Sequence, residues 1–308
     1  MKKLMVFAMA AMVALVSCTK TELVDNSATQ EISFKAITGK MTKGSQTTAN
    51  FDQSLGVFAY VNDRTTPRNY FTNANFLKTQ NTVSVTDPTD ENNTISLITW
   101  EDTTTPRYWP IESSLDFIVY SPHVEAASVT DNVLSVTVAD NSTNQYDFMY
   151  GSEYYDGYKK SDTYVPVNLE HALALITVNF TKGTGVKEIT AATLDNTIQS
   201  GTYTYDYNAN AQNTFSWTSK GNGNYNLDLL TNDTWMVVPS TPTTISITYK
   251  LDGMDENVSL NYTIENLGSE WVAGTHYTYN VSITPNAIKF VPTVTPWDPT
   301  TPEEKEVY

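Results

Sequence analysis

Few side chains in this 308-residue sequence stand at spacings that could do chemistry. The clearest is Cys18, the single cysteine. It closes the run Leu15-Val16-Ser17-Cys18, directly after the basic start Met1-Lys2-Lys3 and the uncharged stretch Leu4–Val16. That stretch falls short of the about 20 residues a membrane-spanning helix needs, but it suits the apolar core of a signal peptide. A small residue before a thiol is a lipobox pattern: the small side chain permits an extended cleavage site and the thiol carries diacylglycerol. The expected product is a chain that begins at Cys18, lipidated there and anchored by several acyl chains. Residues 1–17 would be a lipoprotein signal peptide and 18–30 a polar tether.

The remaining candidates for chemistry are weak. One cysteine excludes an intramolecular disulfide framework and cysteine-based zinc sites. His123, His171 and His276 lie far apart in sequence, so none shares a helical turn with another and no HExxH-type zinc site exists. There is no GxSxG elbow and no P-loop. Gly183-Thr184-Gly185 and Gly221-Asn222-Gly223 read as turns, because no helical pattern follows either. Asp206, Asn208 and Asn210 have the spacing of a calcium loop, but Ala211 and Trp217 stand where glycine and glutamate are needed. Asp252, Asp255 and Glu256 around Gly253 read as a solvated turn. The 34 acidic residues single out no carboxylate pair for glycoside hydrolysis. Tyr154, Tyr155 and Tyr158, in an expected loop over Gly151–Asp162, could stack on sugar rings, although such aromatics more often pack across strands. The expectation is a protein that is not an enzyme and uses no cofactor or metal.

Composition points to what holds the chain together. There are 47 Thr, 27 Asn and 19 Tyr, and the net charge is −16. An acidic surface of this size excludes nucleic acid as a partner, since phosphate binding needs a basic face. The aromatic content, 12%, argues against disorder. Thr and Tyr favour strands. Alternating runs predict strands at Glu31–Thr38, Leu55–Val61, Thr82–Thr86, Thr94–Trp100, Leu115–Tyr120, Val133–Val138 and Tyr146–Tyr150. In the second half they predict strands at Ala174–Phe180, Glu188–Leu194, Gly201–Tyr207, Tyr225–Leu229, Thr234–Val238, Thr244–Leu251, Val258–Ile264, His276–Thr284 and Ala287–Val294. Leu169–Ile176 is the best helix candidate, though its flanks read as strand. The fold class is therefore all-β, antiparallel sandwich in style. A boundary near Pro166–Asn168 divides it into an N-terminal domain, 31–167, and a C-terminal domain, 168–308. Trp297–Tyr308 reads as an extended tail.

Taken in order, several of these segments resemble the fimbrillin family, the subunits of type V pili. They are the lipobox at Ser17-Cys18, the early strand ISFKA with the basic loop MTKGS, LGVFAY (Leu55–Tyr60), YWP (Tyr108–Pro110) and LDFIVYSP (Leu115–Pro122). LEHALALITVNF (Leu169–Phe180), ATLDN (Ala192–Asn196), WVAGTHYTYNVSI (Trp271–Ile283) and TVTPWDP (Thr293–Pro299) follow. The resemblance implies two transthyretin-like β-sandwich domains in tandem and export as an outer-membrane lipoprotein to the cell surface. It implies assembly with other fimbrillin subunits by strand exchange, after an arginine-specific protease removes the first strand. Ile32, Phe34 and Ala36 would then be the apolar face of the removable strand. Ile288 and Phe290, or Val291 and Val294, would be the donor residues. The loop after the first strand departs from the family pattern: it carries Lys40 and Lys43, and the nearest arginines are Arg64 and Arg68. These four are the processing candidates, and an unprocessed subunit would act as an anchor or cap. A tip position would add a host or glycan ligand. The alternative is a surface glycan-binding lipoprotein.

Overall fold

The computed structural model describes residues 31–38, 54–62, 68–76, 83–87, 90–97, 108–109, 114–124, 127–130, 133–138, 141–155, 165–206, 214–223, 225–242, 244–255, 259–265 and 267–297. Among the described residues every regular element is a strand. In chain order they are β1 (Phe34–Thr38), β2 (Leu55–Asn62), β3 (Arg68–Phe76), β4 (Val83–Asp87), β5 (Asp90–Leu97), β6 (Ser114–Ser121), β7 (Ser128–Thr130), β8 (Val133–Val138), β9 (Met149–Tyr155) and β10 (Val165–His171). The second half continues with β11 (Ala174–Lys182), β12 (Val186–Thr197), β13 (Gly201–Asp206), β14 (Thr214–Lys220), β15 (Tyr225–Asp228), β16 (Thr234–Val237), β17 (Thr244–Leu251), β18 (Leu260–Ile264), β19 (Thr275–Thr284) and β20 (Ala287–Pro296). The all-β expectation holds.

The strands form a six-stranded sheet in the order β1-β10-β9-β6-β2-β3, and four-stranded sheets β16-β11-β19-β20, β15-β12-β17-β18 and β14-β13-β8-β7, with β4 and β5 as a separate hairpin. Most pairings are antiparallel; β1 with β10 and β11 with β19 are parallel. Two of the four-stranded sheets face each other across one core. Ile176, Val178, Tyr279 and Val281 from one sheet pack with Leu194, Leu227, Ile245 and Ile247 from the other. Trp271 is fully buried beside them and donates its indole N–H to the Tyr279 hydroxyl at 2.8 Å. Burial pushes the Tyr279 phenol up to about 12.

The six-stranded sheet is covered on both faces. Leu55, Val57, Ala59, Leu115, Phe117 and Val119 point one way, into a core shared with Ile32, Phe34, Val165 and Val167. Phe58, Tyr60, Ile118 and Tyr120 point the other way. Alternation explains the split, since successive side chains of a strand leave opposite faces. Gly56 is a steric necessity here: a Cβ at this position would fall within 2.0 Å of the Tyr120 ring on the neighbouring strand.

The second face is covered by Leu134 and Val136 of β8 and by Tyr203, Tyr205 and Trp217 of the β13–β14 hairpin. The rings interlock: Phe148 meets Tyr203 edge-on at 5.6 Å and Tyr150 lies 5.0 Å from Tyr203. β13 pairs with β8 along its whole length, Gly201 opposite Val138 and Asp206 opposite Val133. β13 and β14, which follow the expected boundary, thus cover the sheet built largely by residues that precede it. Pro166–Asn168 itself lies inside β10.

Several local expectations are corrected. Leu169–Ile176 is not a helix; it is the end of β10, a two-residue joint and the start of β11. Its near-continuous apolar run reflects burial on both sides rather than helical periodicity. Gly151–Tyr155, expected in a loop, belongs to β9, so Tyr154 and Tyr155 are strand residues; Tyr158 lies outside the described residues. The strand expected at Thr94–Trp100 begins earlier, at Asp90, and is described as far as Leu97; residues 98–100 lie outside the described residues. β3, β7, β10 and β14 were not expected as strands. Gly183–Gly185 does form a turn, with Gly185 at φ 89°.

A fragment ending at residue 167 lacks the hairpin that covers Tyr120 and Phe148. Expressed alone, residues 31–167 should fail to show a cooperative thermal transition by near-UV circular dichroism, whereas residues 31–297 should show one.

Candidate functional site

Among the described residues no group of three or more His, Cys, Asp or Glu is arranged to hold a metal. What the fold does present are two edge strands of unusual construction. Among the described residues, β1 ends the six-stranded sheet and pairs with β10. Its register runs Phe34 opposite Val165 through Thr38 opposite Leu169. The Val165 N–H donates to the Ser33 carbonyl at 2.7 Å. A strand residue points its N–H and C=O to the same side, so Ser33, Lys35 and Ile37 face β10 and the even-numbered residues present their backbone groups to the outer edge.

The even side chains do the packing. Ile32 and Phe34 are fully buried. The Phe34 ring meets Phe117 edge-on at 5.3 Å and 87°, and Trp109 meets the other side of Phe117 at 5.7 Å and 84°. Such aromatic contacts add about 0.5–1.5 kcal/mol beyond area burial. Just before the strand, Glu31 bridges to Tyr108. Two of the three residues expected on the inward face of the first strand are therefore in the core, and the side chain of Ala36 lies outside the described residues. So do Cys18, Lys40, Lys43 and Arg64. Arg68 opens β3, opposite Val61 of β2.

β20 is the other edge. It pairs with β19 over its full length, from Ala287 opposite Thr284 to Pro296 opposite Thr275. The C-terminal run up to residue 297 is thus packed into its own sheet, and the tail expected to start at Trp297 loses its first residue to the core. The four donor candidates separate. Ile288 and Phe290 point inward, half-buried against the C-terminal core, with Phe290 stacked on Tyr279 at 5.3 Å. Val291 faces outward at 41% exposure. Val294 shares the face of Ile288 and Phe290 but lies past the core, 55% exposed.

The ladder has a polarity. The Trp297 N–H donates to the Gly274 carbonyl at 2.8 Å, so odd-numbered residues face the β19 side. Pro292 and Pro296 are even-numbered, and their missing N–H groups fall on the outer edge. Proline at an outward position blunts a sheet edge against further pairing.

Three residues whose meeting sequence reasoning did not foresee, Trp297, His171 and Asp147, come together at the end of β20. Trp297 is 3% exposed and stacks on His171 with ring centres 4.1 Å apart and planes 5° from parallel. The His171 Nδ1 lies 2.8 Å from the Asp147 carboxylate, with both side chains buried. The one available signal was the terminal segment TVTPWDP, in which a tryptophan sits among residues too polar to bury it locally.

The fimbrillin-like family profile matches residues 39–297. The chain belongs to the fimbrillin-like family. Among solved structures, a candidate cell adhesion protein from Bacteroides uniformis aligns over 87% of this chain and 99% of its own, with a TM-score of 0.53 at 17% identity. A second, from Bacteroides ovatus, gives 0.53 at 13% identity, over 87% and 97% of the two chains. A fimbrial protein from Bacteroides vulgatus gives 0.50 at 16% identity, over 87% and 99%. At these identities the likeness is one of fold. No curated protein matches the chain.

The two edges should respond differently to truncation. Phe34→Ala should lower unfolding stability in urea by about 3–5 kcal/mol, because it empties a filled aromatic site. Val291→Ala, at the exposed edge, should change it by under about 0.5 kcal/mol.

Proposed function

We propose that this fimbrillin-like chain is a cell-surface pilus subunit that assembles by strand exchange: β1 leaves after proteolysis and a strand from a second subunit takes its place. The observation that carries this reading is a match between the two edges. At the N-terminal edge Ile32, just before β1, and Phe34 of β1 are buried two residues apart, and β20 presents Ile288 and Phe290 at the same spacing on its inward face. In both strands the odd-numbered residues hold the ladder. Laid on β1 with Ile288 at Ile32 and Phe290 at Phe34, a donor strand turns Lys289 and Val291 toward β10. Pro292 then occupies the position of Ala36, where its missing N–H looks away from the sheet.

The energetics state when exchange can occur. Burying two large apolar side chains is worth about 1.5–3 kcal/mol each. Each ladder bond adds about 0.5–1.5 kcal/mol. Ordering a free strand costs about 1–2 kcal/mol per residue. An incoming strand cannot displace an intact β1 that already makes the same contacts, so the site must first be emptied.

The sheet order narrows where that cut falls. β2 lies between β6 and β3 and is buried on both faces. A cut at Arg64 or Arg68 that carried β2 away would dismantle the sheet rather than open a groove. Lys40 or Lys43, in the segment between β1 and β2, releases β1 alone. Cys18 carries the lipid that takes the precursor to the outer membrane. The division into N-terminal (31–167) and C-terminal (168–308) sandwich units belongs to the same reading, with the β13–β14 hairpin crossing to the first unit.

Two outcomes are expected. After lysine-directed cleavage of the purified chain from Cys18 onward, non-boiled gels should show ladders, and Phe290→Asp should shorten them; persistent monomer after loss of residues 31–43 counts against the reading. Cys18→Ser in the full-length chain should abolish incorporation of labelled fatty acid in cells and move the protein out of the detergent phase.

A further inference from the structure

We propose that the stack of Trp297 on His171 is a latch that keeps β20 in its own sheet and sets how readily that strand is released to another subunit. The regulatory half of this proposal rests on the strand-exchange reading; the latch itself rests on geometry alone. β20 is held unevenly. At its start, Ile288 and Phe290 are half-buried, while every position from Val291 to Pro296 is exposed. That stretch is kept in place by its ladder to β19 and by whatever secures its far end. The outer edge offers no help, since Pro292 and Pro296 remove two of its donors.

Trp297 secures that end. It is nearly fully buried after six exposed residues. Its indole lies flat on His171, which closes β10 of the six-stranded sheet, and the His171 Nδ1 lies 2.8 Å from the Asp147 carboxylate. A buried carboxylate is costly without a partner, and among the described residues the imidazole is the side chain that meets it. The joint around the stack is tied by backbone bonds: Gly274 N–H to the Leu173 carbonyl at 2.9 Å, and Ala172 N–H to the Phe148 carbonyl at 2.9 Å. The Trp217 indole donates to the Ala172 carbonyl at 2.8 Å. The ring thus stacks on the end of β10, in the six-stranded sheet, rather than on β19, the strand to which β20 is paired. Freeing β20 requires Trp297 to leave His171, and once it has left, the exposed stretch before it can peel from β19 residue by residue.

The parity of the ladder gives the test its signature. In residue-resolved amide hydrogen exchange of the uncleaved protein, Trp297→Ala should speed exchange about tenfold at Lys289, Val291, Thr293 and Thr295, whose N–H groups face β19. Amides of β12 and β17 should stay at wild-type rates, and Trp297→Phe should restore protection. If the alanine variant does not fold, Trp297→Leu keeps apolar bulk without a stacking ring and should show the same selective loss. Equal acceleration in β12 and β17, no change in β20, or no rescue by phenylalanine overturns the latch. After lysine-directed cleavage, Trp297→Ala chains should form ladders about tenfold faster than wild type. Unchanged ladder kinetics beside faster exchange overturn the regulatory role. Absence of ladders in every variant counts against strand exchange, and the exchange rates then decide the latch.

Discussion

A strand that ends a sheet is bonded on one side and open on the other, and the way β1 meets this condition governs the rest of the molecule. Its backbone turns to β10 through odd-numbered residues, while Ile32 and Phe34 carry the even face into a core that includes Phe117, Val165 and Val167. The described pairing of the strand is with β10, and Ile32 and Phe34 are as buried as any side chains among the described residues. An edge strand with that combination is integral to packing and peripheral to pairing. It can be removed without breaking the ladder between any other two strands, but its removal uncovers a large apolar surface.

The opposite face of the same sheet is closed by residues from both halves of the chain. Tyr120, Phe148 and Tyr150 need a cover, and that cover comes from Tyr203, Tyr205, Phe215 and Trp217, which arrive from the second half of the chain. The joint between β10 and β11 is then enclosed by Trp217 on one side and Trp297 on the other. Three tryptophans lie at or near junctions where sheets meet, Trp271 being the third, and each indole N–H of Trp217 and Trp271 finds an acceptor. Large amphipathic rings suit such places, because they fill irregular volume and satisfy a polar atom at once.

The surface follows a different logic. A charge of −16 makes copies repel one another in solution. The outer edge of β20 carries prolines where donors would otherwise stand, and its exposed face is largely Thr, Lys and Val. Uncontrolled edge-to-edge growth is thereby opposed by charge and by backbone chemistry together.

Much of this was legible from residue patterns alone. Strands with one buried face advertise themselves by alternation, and β2, β8, β11, β17 and β19 fall close to where that alternation puts them. The all-β class comes from residue types and short-range alternation, which survive without a fold. The sequence hid β10 and β14. β10 alternates but runs directly into the continuous apolar joint and start of β11, Ala172–Ile176, which mimics a helix; β14 alternates Phe and Trp with polar residues too weakly to distinguish a strand from a loop. The partner of β13, the parallel docking of β1 on β10 and the meeting of Trp297, His171 and Asp147 were decided by tertiary structure. Each depends on residues far apart in the chain, and no local preference encodes which distant edge or ring will complete a buried surface.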